Sequence, residues 1–349
     1  DYIPCSMAEF MSLNQSVLIC DQVNPILKEV LEKNGLKVTY EPEITPEQVA
    51  EKIGSFQVVV VRSRTKMTRE LIAKADKCKI IARVGIGLDN IDQDAAKEKN
   101  IRVINAVEGA ITAVAELVIG LMISMAREIP RADREIRNGN WIKKELMGSE
   151  LKGKYLGIVG LGNIGKRLGR LARALNMNII GYDVVPIDDG FSKEVGLMKA
   201  DLDTLLSSAD YVSFHVPLLD STRHMINAEK LKMMKNTARI INTARGGVID
   251  EEALYNSLKD GSLAGAALDV FEVEPATGNK LITLPNFIAT PHMGAQTKEA
   301  QLLAANIIAE KIIQILRGVL LNEINFTSCI VSYHTITKLW CCVRCSWFR

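Results

Sequence analysis

The sequence lacks most of the features that mark secreted, metal-binding or nucleic-acid-binding proteins. Only three of its seven cysteines, Cys5, Cys20 and Cys78, fall in the first 326 residues, and they show no disulfide or metal-ligand spacing. The net charge is only +2, which gives no reason to expect a nucleic acid or a membrane surface as a partner. The first residues also lack the basic-then-apolar order of a signal peptide. We therefore expect a reducing, cytoplasmic environment and no bound metal.

Long hydrophobic runs are scarce as well. The most apolar helical stretch, 112–126, is short and contains Glu116, so it predicts a buried helix and not a membrane span. Because this stretch is apolar around most of its circumference, we expect a second subunit to cover part of it. The larger stretch 112–138 is expected to form one long helix, interrupted at most at Pro130.

The first part of the chain, from Ser16 to Val107, has no phosphate-binding loop. Short apolar strands alternate there with amphipathic helices, a pattern that predicts a parallel sheet with helices on both faces. Yet the residues after the first strand, 20–23, include no glycine. This part is therefore expected to bind something other than a dinucleotide.

A glycine-rich segment is present further along. Gly160, Gly162 and Gly165 follow an apolar run with the spacing G-x-G-x-x-G, and a helical pattern and a second apolar run then end at Asp183. The first glycine permits a tight turn, the second lets a pyrophosphate approach the backbone, and the third lets the helix pack on the sheet. Asp183 can accept the ribose hydroxyls, and the residues after it, 184–186, offer no cation for a 2′-phosphate. The segment therefore predicts a dinucleotide site that prefers NAD over NADP.

Three later strands end in residues suited to acid–base chemistry. Arg245 follows an apolar strand and can hold a carboxylate through two hydrogen bonds. Glu274 and His292 follow two further strands, and a histidine with a carboxylate partner can act as acid or base. Each residue taken alone also fits a purely structural or solvated role. Their occurrence together, beside a dinucleotide loop, favours catalysis.

These motifs together resemble one family, the D-isomer-specific 2-hydroxyacid dehydrogenases. The segments that carry the resemblance are VVRSRTKMT, ARVGIGLDNID, VGLGNIG, NTARGGVIDEEAL, GAALDVFEVEP and TPHMGAQTKEA, and the likeness covers about Ser16 to Asn325. It implies two doubly wound parallel-sheet domains: a Rossmann NAD-binding domain, 109–293, inserted into a discontinuous flavodoxin-like substrate domain, 1–108 and 294–326. Residues 327–349 carry four cysteines and no recognisable period, and we expect them to be a non-native or disordered tail.

The resemblance also implies roles for individual residues. In the catalytic group, Arg245 binds the substrate carboxylate, His292 exchanges a proton with the substrate oxygen, and Glu274 orients His292. The implied cofactor-binding residues are Ile86, Gly160, Gly162, Asn163, Ile164, Gly165, Asp183, Val216, Pro217, Thr243, Ala244, Asp269 and Gly294. The implied substrate-binding residues are Arg62, Ser63, Arg83, Gly85, Gly87, Lys143 and Lys144, the last two on an arm that reaches a neighbouring subunit in a two-fold dimer or dimer-based tetramer.

The segment NWIKKELMGSELKGKYLGIVGLGNIGK is particularly similar to the members of the family that act on D-3-phosphoglycerate. The expected activity is therefore its NAD-dependent oxidation to 3-phosphohydroxypyruvate, which feeds serine synthesis. Serine feedback through an additional regulatory domain is not expected. Two alternatives remain open: a glyoxylate or hydroxypyruvate reductase with the same three catalytic residues, and a non-enzymatic NAD-sensing scaffold like the corepressors of this family. The cations Arg62, Arg83, Lys143 and Lys144 favour a phosphorylated small-molecule substrate. The loop 107–113 departs from the family pattern.

Overall fold

The computed structural model describes residues 13–318, so the predicted tail at 327–349 lies outside the described residues. The described chain divides into two compact units. The first unit comprises 13–84, Leu88–Asn105 and 305–318, and the second comprises Gly85–Gly87 and Ala106–Ala304.

The first unit is built on a five-stranded parallel sheet. Its strands are β1 (Ser16–Ile19), β2 (Lys37–Tyr40), β3 (Val58–Val61), β4 (Ile80–Arg83) and β5 (Arg102–Asn105), in the order β2-β1-β3-β4-β5. Its helices are α1 (Ile26–Lys33), α2 (Pro46–Lys52), α3 (Arg69–Ala73) and α4 (Gln93–Glu98). The central strand β3 is buried at all four residues, as expected for a sheet covered on both faces. This is the flavodoxin-like strand order that was predicted.

The second unit is built on a seven-stranded parallel sheet. Its helices are α5 (Ile111–Ala126), α6 (Ile129–Arg137), α7 (Asn163–Ala174), α8 (Asp189–Val195), α9 (Leu202–Ser208), α10 (Ala228–Met233) and α11 (Glu251–Lys259). Its strands are β6 (Tyr155–Val159), β7 (Asn178–Tyr182), β8 (Leu197–Lys199), β9 (Tyr211–Phe214), β10 (Arg239–Asn242), β11 (Gly265–Leu268) and β12 (Phe287–Ala289). The order β12-β11-β10-β9-β6-β7-β8 reverses direction between β6 and β9, which confirms the Rossmann topology. A last helix, α12 (Lys298–Leu316), begins in the second unit and ends in the first.

Two hydrophobic clusters cover the two faces of the larger sheet. Neighbouring residues of a strand point to opposite faces, so Ile158 and Val159 of β6 belong to different clusters, as do Ile241 and Ile240 of β10. All four side chains are fully buried. The sheet is thereby fixed from both sides, and only its ends and edges remain for a ligand.

The prediction of one helix over 112–138 was wrong. The chain forms α5 and α6, and Glu128 between them adopts a left-handed conformation with φ +51°. Pro130 lies in the first turn of α6, where its fixed φ and missing N–H are tolerated. The break therefore precedes the proline.

The apolar helix α5 is covered mainly by its own chain. Eight of its side chains are buried, and it packs against α7. The exposed positions form one stripe along the helix, at Thr112, Glu116, Gly120 and Ile123. The helical stretch Val107–Ala126 is the one segment of the described chain that is long and apolar enough to cross a membrane, and half of it is buried inside the fold. The argument that this helix needs a second subunit to cover it therefore does not hold.

Candidate active site

The glycine-rich loop lies between β6 and α7, at the reversal of strand order. Gly160 has φ +93°, and a Cβ atom there would lie 2.6 Å from the carbonyl oxygen of His215. A Cβ atom on Gly165 would lie 2.1 Å from the Gly160 carbonyl oxygen, whereas a Cβ atom on Gly162 would project into open space. The first and third glycines are thus required by the fold itself. The second leaves the backbone accessible to a ligand, as a pyrophosphate requires.

Asp183 directly follows β7 and lies beside this loop. Its carboxylate accepts hydrogen bonds from the backbone N–H of Leu161 (2.6 Å) and of Val185 (3.1 Å). A carboxylate has about four acceptor positions, so it can also accept ribose hydroxyls. The sequence suggested only the binding of ribose hydroxyls. The hydrogen bond to Leu161 could not be predicted, because it forms between two segments that are distant in the sequence.

The remaining predicted cofactor residues of the second unit surround the same end of the sheet. Asn163 and Ile164 open α7, whose N-cap, Gly162, provides no side-chain hydrogen bond. Val216 and Pro217 follow β9, and the Val216 side chain lies against Gly160. The buried Thr243 hydroxyl has no hydrogen-bond partner among the described residues, as expected of a group that meets a ligand. These residues fit a bound NAD.

His292 and Glu274 form a hydrogen-bonded pair. The imidazole Nδ1 of His292 lies 2.9 Å from Glu274 Oε2 and 3.1 Å from Oε1. The side chains are 53% and 38% exposed, respectively, so both remain accessible from solvent. Because Nδ1 is engaged by the carboxylate, Nε2 is the ring nitrogen that can exchange a proton with a substrate. His292 also has φ +52°, an uncommon conformation outside glycine that is often found at functional sites.

Asp269 fixes the loop that carries His292. This buried residue follows β11, and its carboxylate accepts hydrogen bonds from the Thr290 hydroxyl (2.5 Å) and from the backbone N–H groups of Met293 (2.8 Å) and Gly294 (2.9 Å). These contacts clamp the chain on both sides of His292. Asp269, predicted as a cofactor contact, thus supports the histidine loop.

Arg245 lies in a tight turn after β10. Asn242 brackets this turn: its side chain donates to the Arg245 carbonyl (2.8 Å) and accepts from the Ala244 N–H (3.0 Å). The next residue, Gly246, packs directly on the chain before Glu274, since a Cβ atom there would lie 1.9 Å from the Phe271 carbonyl oxygen. Strand β11 pairs with both β10 and β12, so the three predicted catalytic residues follow adjacent strands at one edge of the sheet.

The predicted substrate residues are divided between the two units. Arg62, Ser63 and Arg83 belong to the first unit, whereas Gly85, Gly87, Lys143 and Lys144 belong to the second, as does the predicted cofactor residue Ile86. Lys143 and Lys144 are exposed on a short 3-10 helix, Lys143–Glu145.

Two residues that sequence reasoning missed hold the Arg62 loop. The buried carboxylate of Asp21 accepts hydrogen bonds from the backbone N–H of Arg62 and from the Thr65 hydroxyl (2.6 Å). The side-chain amide of Asn90 donates to the carbonyls of Arg62 and Thr65, each at 2.7 Å. Asp and Asn are common in loops, so neither residue stands out in the sequence. Their partners are 25 or more positions away in the sequence, and local patterns therefore could not identify them.

Comparisons with known proteins agree with this geometry. Residues 119–294 match the model of the D-isomer specific 2-hydroxyacid dehydrogenase NAD binding domain. D-3-phosphoglycerate dehydrogenase of Methanocaldococcus jannaschii is 47% identical over 309 residues, which are 88% of this chain and 59% of that protein. Hydroxypyruvate reductase of Thermotoga maritima is 46% identical over 296 residues, 83% of this chain and 95% of that protein. A glyoxylate reductase structure from Paecilomyes thermophila has a TM-score of 0.81 at 32% identity and covers 88% of this chain and 97% of that one.

The nucleotide loop at the reversal of the larger sheet and the histidine–carboxylate pair at the same edge are the features expected of the class of Rossmann-fold dehydrogenases. The chain belongs to the family of D-isomer specific 2-hydroxyacid dehydrogenases, and its second unit contains the NAD-binding domain. It spans 59% of the length of the M. jannaschii relative.

Proposed function

We propose that this chain oxidises D-3-phosphoglycerate to 3-phosphohydroxypyruvate with NAD, the first step of serine biosynthesis. The observation that carries the proposal is the His292–Glu274 hydrogen bond at the sheet edge that also holds Arg245 and the glycine loop. The name of the M. jannaschii relative supports the choice of substrate.

Each of the three residues has a distinct part in the proposed reaction. Arg245 binds the substrate carboxylate and thereby fixes C2 and its oxygen in the site. His292 Nε2 accepts the hydroxyl proton during oxidation and returns it during reduction. Glu274 holds the ring through Nδ1 and stabilises the positive charge that the ring acquires. NAD, when bound, accepts the hydride from C2.

We further propose a role for Arg62 in binding the substrate phosphate, and for the second unit in binding NAD. Arg62 is the leading candidate for the phosphate contact, because its backbone is fixed by Asp21 and Asn90. Burial lowers the pKa of the Arg62 guanidinium from its ordinary value, and the nearby Asp21 carboxylate opposes that shift. The group stays protonated in any case, because arginine remains charged in proteins.

Reduction of hydroxypyruvate is the second candidate function. It is supported by the T. maritima relative, of which this chain covers 95% at 46% identity. The same three residues serve that reaction in the opposite direction, without a phosphate to bind.

Steady-state rates separate the candidates. D-3-phosphoglycerate and D-glycerate are compared in oxidation, and 3-phosphohydroxypyruvate, hydroxypyruvate and glyoxylate in reduction. We expect the largest kcat/KM for the phosphorylated pair, and Arg62→Gln should lower it more for that pair than for D-glycerate. A larger kcat/KM for hydroxypyruvate, unaffected by Arg62→Gln, would favour the reductase. NAD binding without turnover of any of these acids would favour the scaffold.

We also propose that the chain forms a two-fold dimer, alone or within a tetramer, and acts in the cytoplasm. Helix α6 and the segment after it expose several large apolar side chains, namely Ile129, Ile136, Trp141 and Met147. Several exposed apolar side chains in one segment are typical of a protein interface. Ile136→Glu should lower the mass seen by sedimentation, whereas Met198→Glu, at an exposed position of β8, should not. A monomeric wild type with full activity would exclude both the dimer and a role of Lys143 and Lys144 in a neighbouring site.

A further inference from the structure

His224 lies outside the groups of residues discussed so far, in the loop between β9 and α10. Its backbone has φ +48°, a conformation that few residues other than glycine adopt. In this conformation its N–H donates a 2.7 Å hydrogen bond to the carbonyl oxygen of Gly247. Gly247 is two residues after Arg245. His224 is therefore bonded directly to the turn that carries the arginine.

The side chain of His224 reaches a different turn. Its Nε2 lies 3.0 Å from Glu272 Oε1, and the two side chains are 43% and 35% exposed. Glu272 is two residues before Glu274 and follows the same strand, β11. One residue thus contacts the turns of two of the three proposed catalytic groups, one through its backbone and the other through its ring.

Glu272 is also held by the start of α11, through the same oxygen that His224 contacts. Its Oε1 accepts from the backbone N–H of Glu251 (3.2 Å), and Glu251 Oε1 accepts from the backbone N–H of Glu272 (2.6 Å). The second oxygen of Glu251 accepts from the Asn279 amide (2.5 Å). These reciprocal bonds leave the backbone at Glu272 little freedom, provided that the Glu272 side chain stays in place.

The cluster brings carboxylates close together, so the ring of His224 also has an electrostatic role. Burial raises the pKa of Glu251, and the hydrogen bonds from the Glu272 backbone and the Asn279 side chain oppose that shift; the negative charge of Glu272 raises this pKa and His224 lowers it. A donor at His224 Nε2 satisfies Glu272 and weakens this repulsion. Without it, Glu272 can rotate away and release its bond to the start of α11.

The turn from Phe271 to Glu274 connects Glu272 to the catalytic pair. The Phe271 N–H donates to Glu274 Oε1 (3.1 Å), the same carboxylate that binds His292. On its other side, the Phe271 carbonyl lies directly against Gly246. We therefore expect a shift at Glu272 to change the position of Glu274 relative to His292.

We propose that His224 is a positioning residue: by bonding to Gly247 and Glu272 it fixes the two turns that carry Arg245 and Glu274, and so orients His292. The proposal deepens the proposed function and rests on its assignment of the His292–Glu274 pair.

The test compares three variants of the full chain with the wild type. His224→Leu removes the ring donor, His224→Gln keeps an amide donor near the position of Nε2, and Lys280→Leu removes a nearby exposed ion pair with Glu252 as a matched control. The first readout is the downfield proton resonance of the His292 Nδ1–H, assigned by its loss in His292→Ala. The second is kcat, KM and the NAD dissociation constant with the best substrate of the panel.

We expect His224→Leu to broaden or abolish the Nδ1–H resonance and to lower kcat about 10- to 100-fold, because small misplacements of catalytic groups have effects of this size. KM and NAD affinity should change little. His224→Gln should retain most of the Nδ1–H resonance and most of the wild-type kcat. An unchanged resonance and kcat in His224→Leu, or equal damage in His224→Gln and His224→Leu, would overturn the proposal. The resonance does not depend on turnover, so a failure of the proposed function appears separately, as a wild type that turns over none of the acids.

Discussion

His292 Nδ1 lies 2.9 Å from Glu274 Oε2, although the two residues follow different strands and are 18 positions apart. The pair is formed because β11 and β12 are adjacent and parallel, so that their carboxyl ends meet at one edge. Asp269 holds the loop that carries His292, and the Phe271 N–H holds the Glu274 carboxylate. The position of the His292–Glu274 pair therefore follows from the order and direction of these two strands.

Replacing the histidine tests its role in proton transfer. His292→Ala should lower kcat by about 10²–10⁴-fold, the usual contribution of general acid–base catalysis. NAD affinity should remain near the wild-type value, because the glycine loop and Asp183 are untouched. Steady-state rates and a fluorescence titration with NAD measure the two effects. Wild-type turnover in this variant would mean that another group moves the proton.

Replacing the carboxylate isolates its charge. Glu274→Gln keeps an oxygen that can accept from His292 Nδ1–H but removes the negative charge that stabilises the protonated ring. We expect a smaller loss of kcat than in His292→Ala, about 10- to 100-fold, which is the effect of replacing the partner that orients a metal-binding histidine. The double variant should be no worse than His292→Ala alone, since the two residues act as a unit. A loss of kcat in the double variant equal to the product of the two single losses would contradict that coupling.

Asp183 should set the preference for NAD. A 2′-phosphate would lie close to its negative charge, so the wild type should bind NAD much more tightly than NADP. Asp183→Asn keeps an acceptor for the Leu161 N–H but removes the negative charge. It should lower the ratio of the NADP to the NAD dissociation constant about tenfold or more. Dissociation constants for both cofactors provide the check. Equal affinity of the wild type for NAD and NADP would refute this role of Asp183.

Two glycines of the same loop should behave differently when replaced by alanine. Gly165→Ala places a Cβ atom 2.1 Å from a backbone oxygen, and overpacking of this kind destabilises a fold by about 1–3 kcal/mol. Gly162→Ala meets open space at an ordinary φ of −69°, so stability should be retained while NAD affinity falls. Urea denaturation and NAD titration of both variants distinguish the effects. Unchanged NAD binding in a stable Gly162→Ala would place the pyrophosphate elsewhere.

His215 should make the fold sensitive to acid. Burial lowers the pKa of its ring from 6.5 to about 4, and Ser213 hydrogen-bonds to its Nε2 (3.0 Å). Below pH 6.5 the unfolded chain takes up a proton that the folded chain does not, so the free energy of unfolding falls between pH 6.5 and about 4. His215→Gln should lose less stability between pH 7 and pH 5 than the wild type. Parallel losses, measured by urea denaturation at both pH values, would argue against this role of His215.

Much of the fold was accessible from local sequence patterns. Buried parallel strands such as β3 consist of consecutive apolar residues, and G-x-G-x-x-G between a strand and a helix has few other uses. The short strand β8 has only a weak local signal, because two of its three residues, Met198 and Lys199, are exposed. The break between α5 and α6 was also missed, since Glu128 gives no local signal for its left-handed conformation.

The sequence by itself determined the two alternating strand–helix series, the position of the nucleotide loop, and which residues stand at the ends of the strands, because each of these depends on neighbours within a few positions. Only the tertiary structure decided which of those ends are adjacent and what supports them. Asp269 clamps the His292 loop and Asp183 holds Leu161 across 20 or more positions. Such contacts depend on strand order and register, which are set by the packing of the whole sheet.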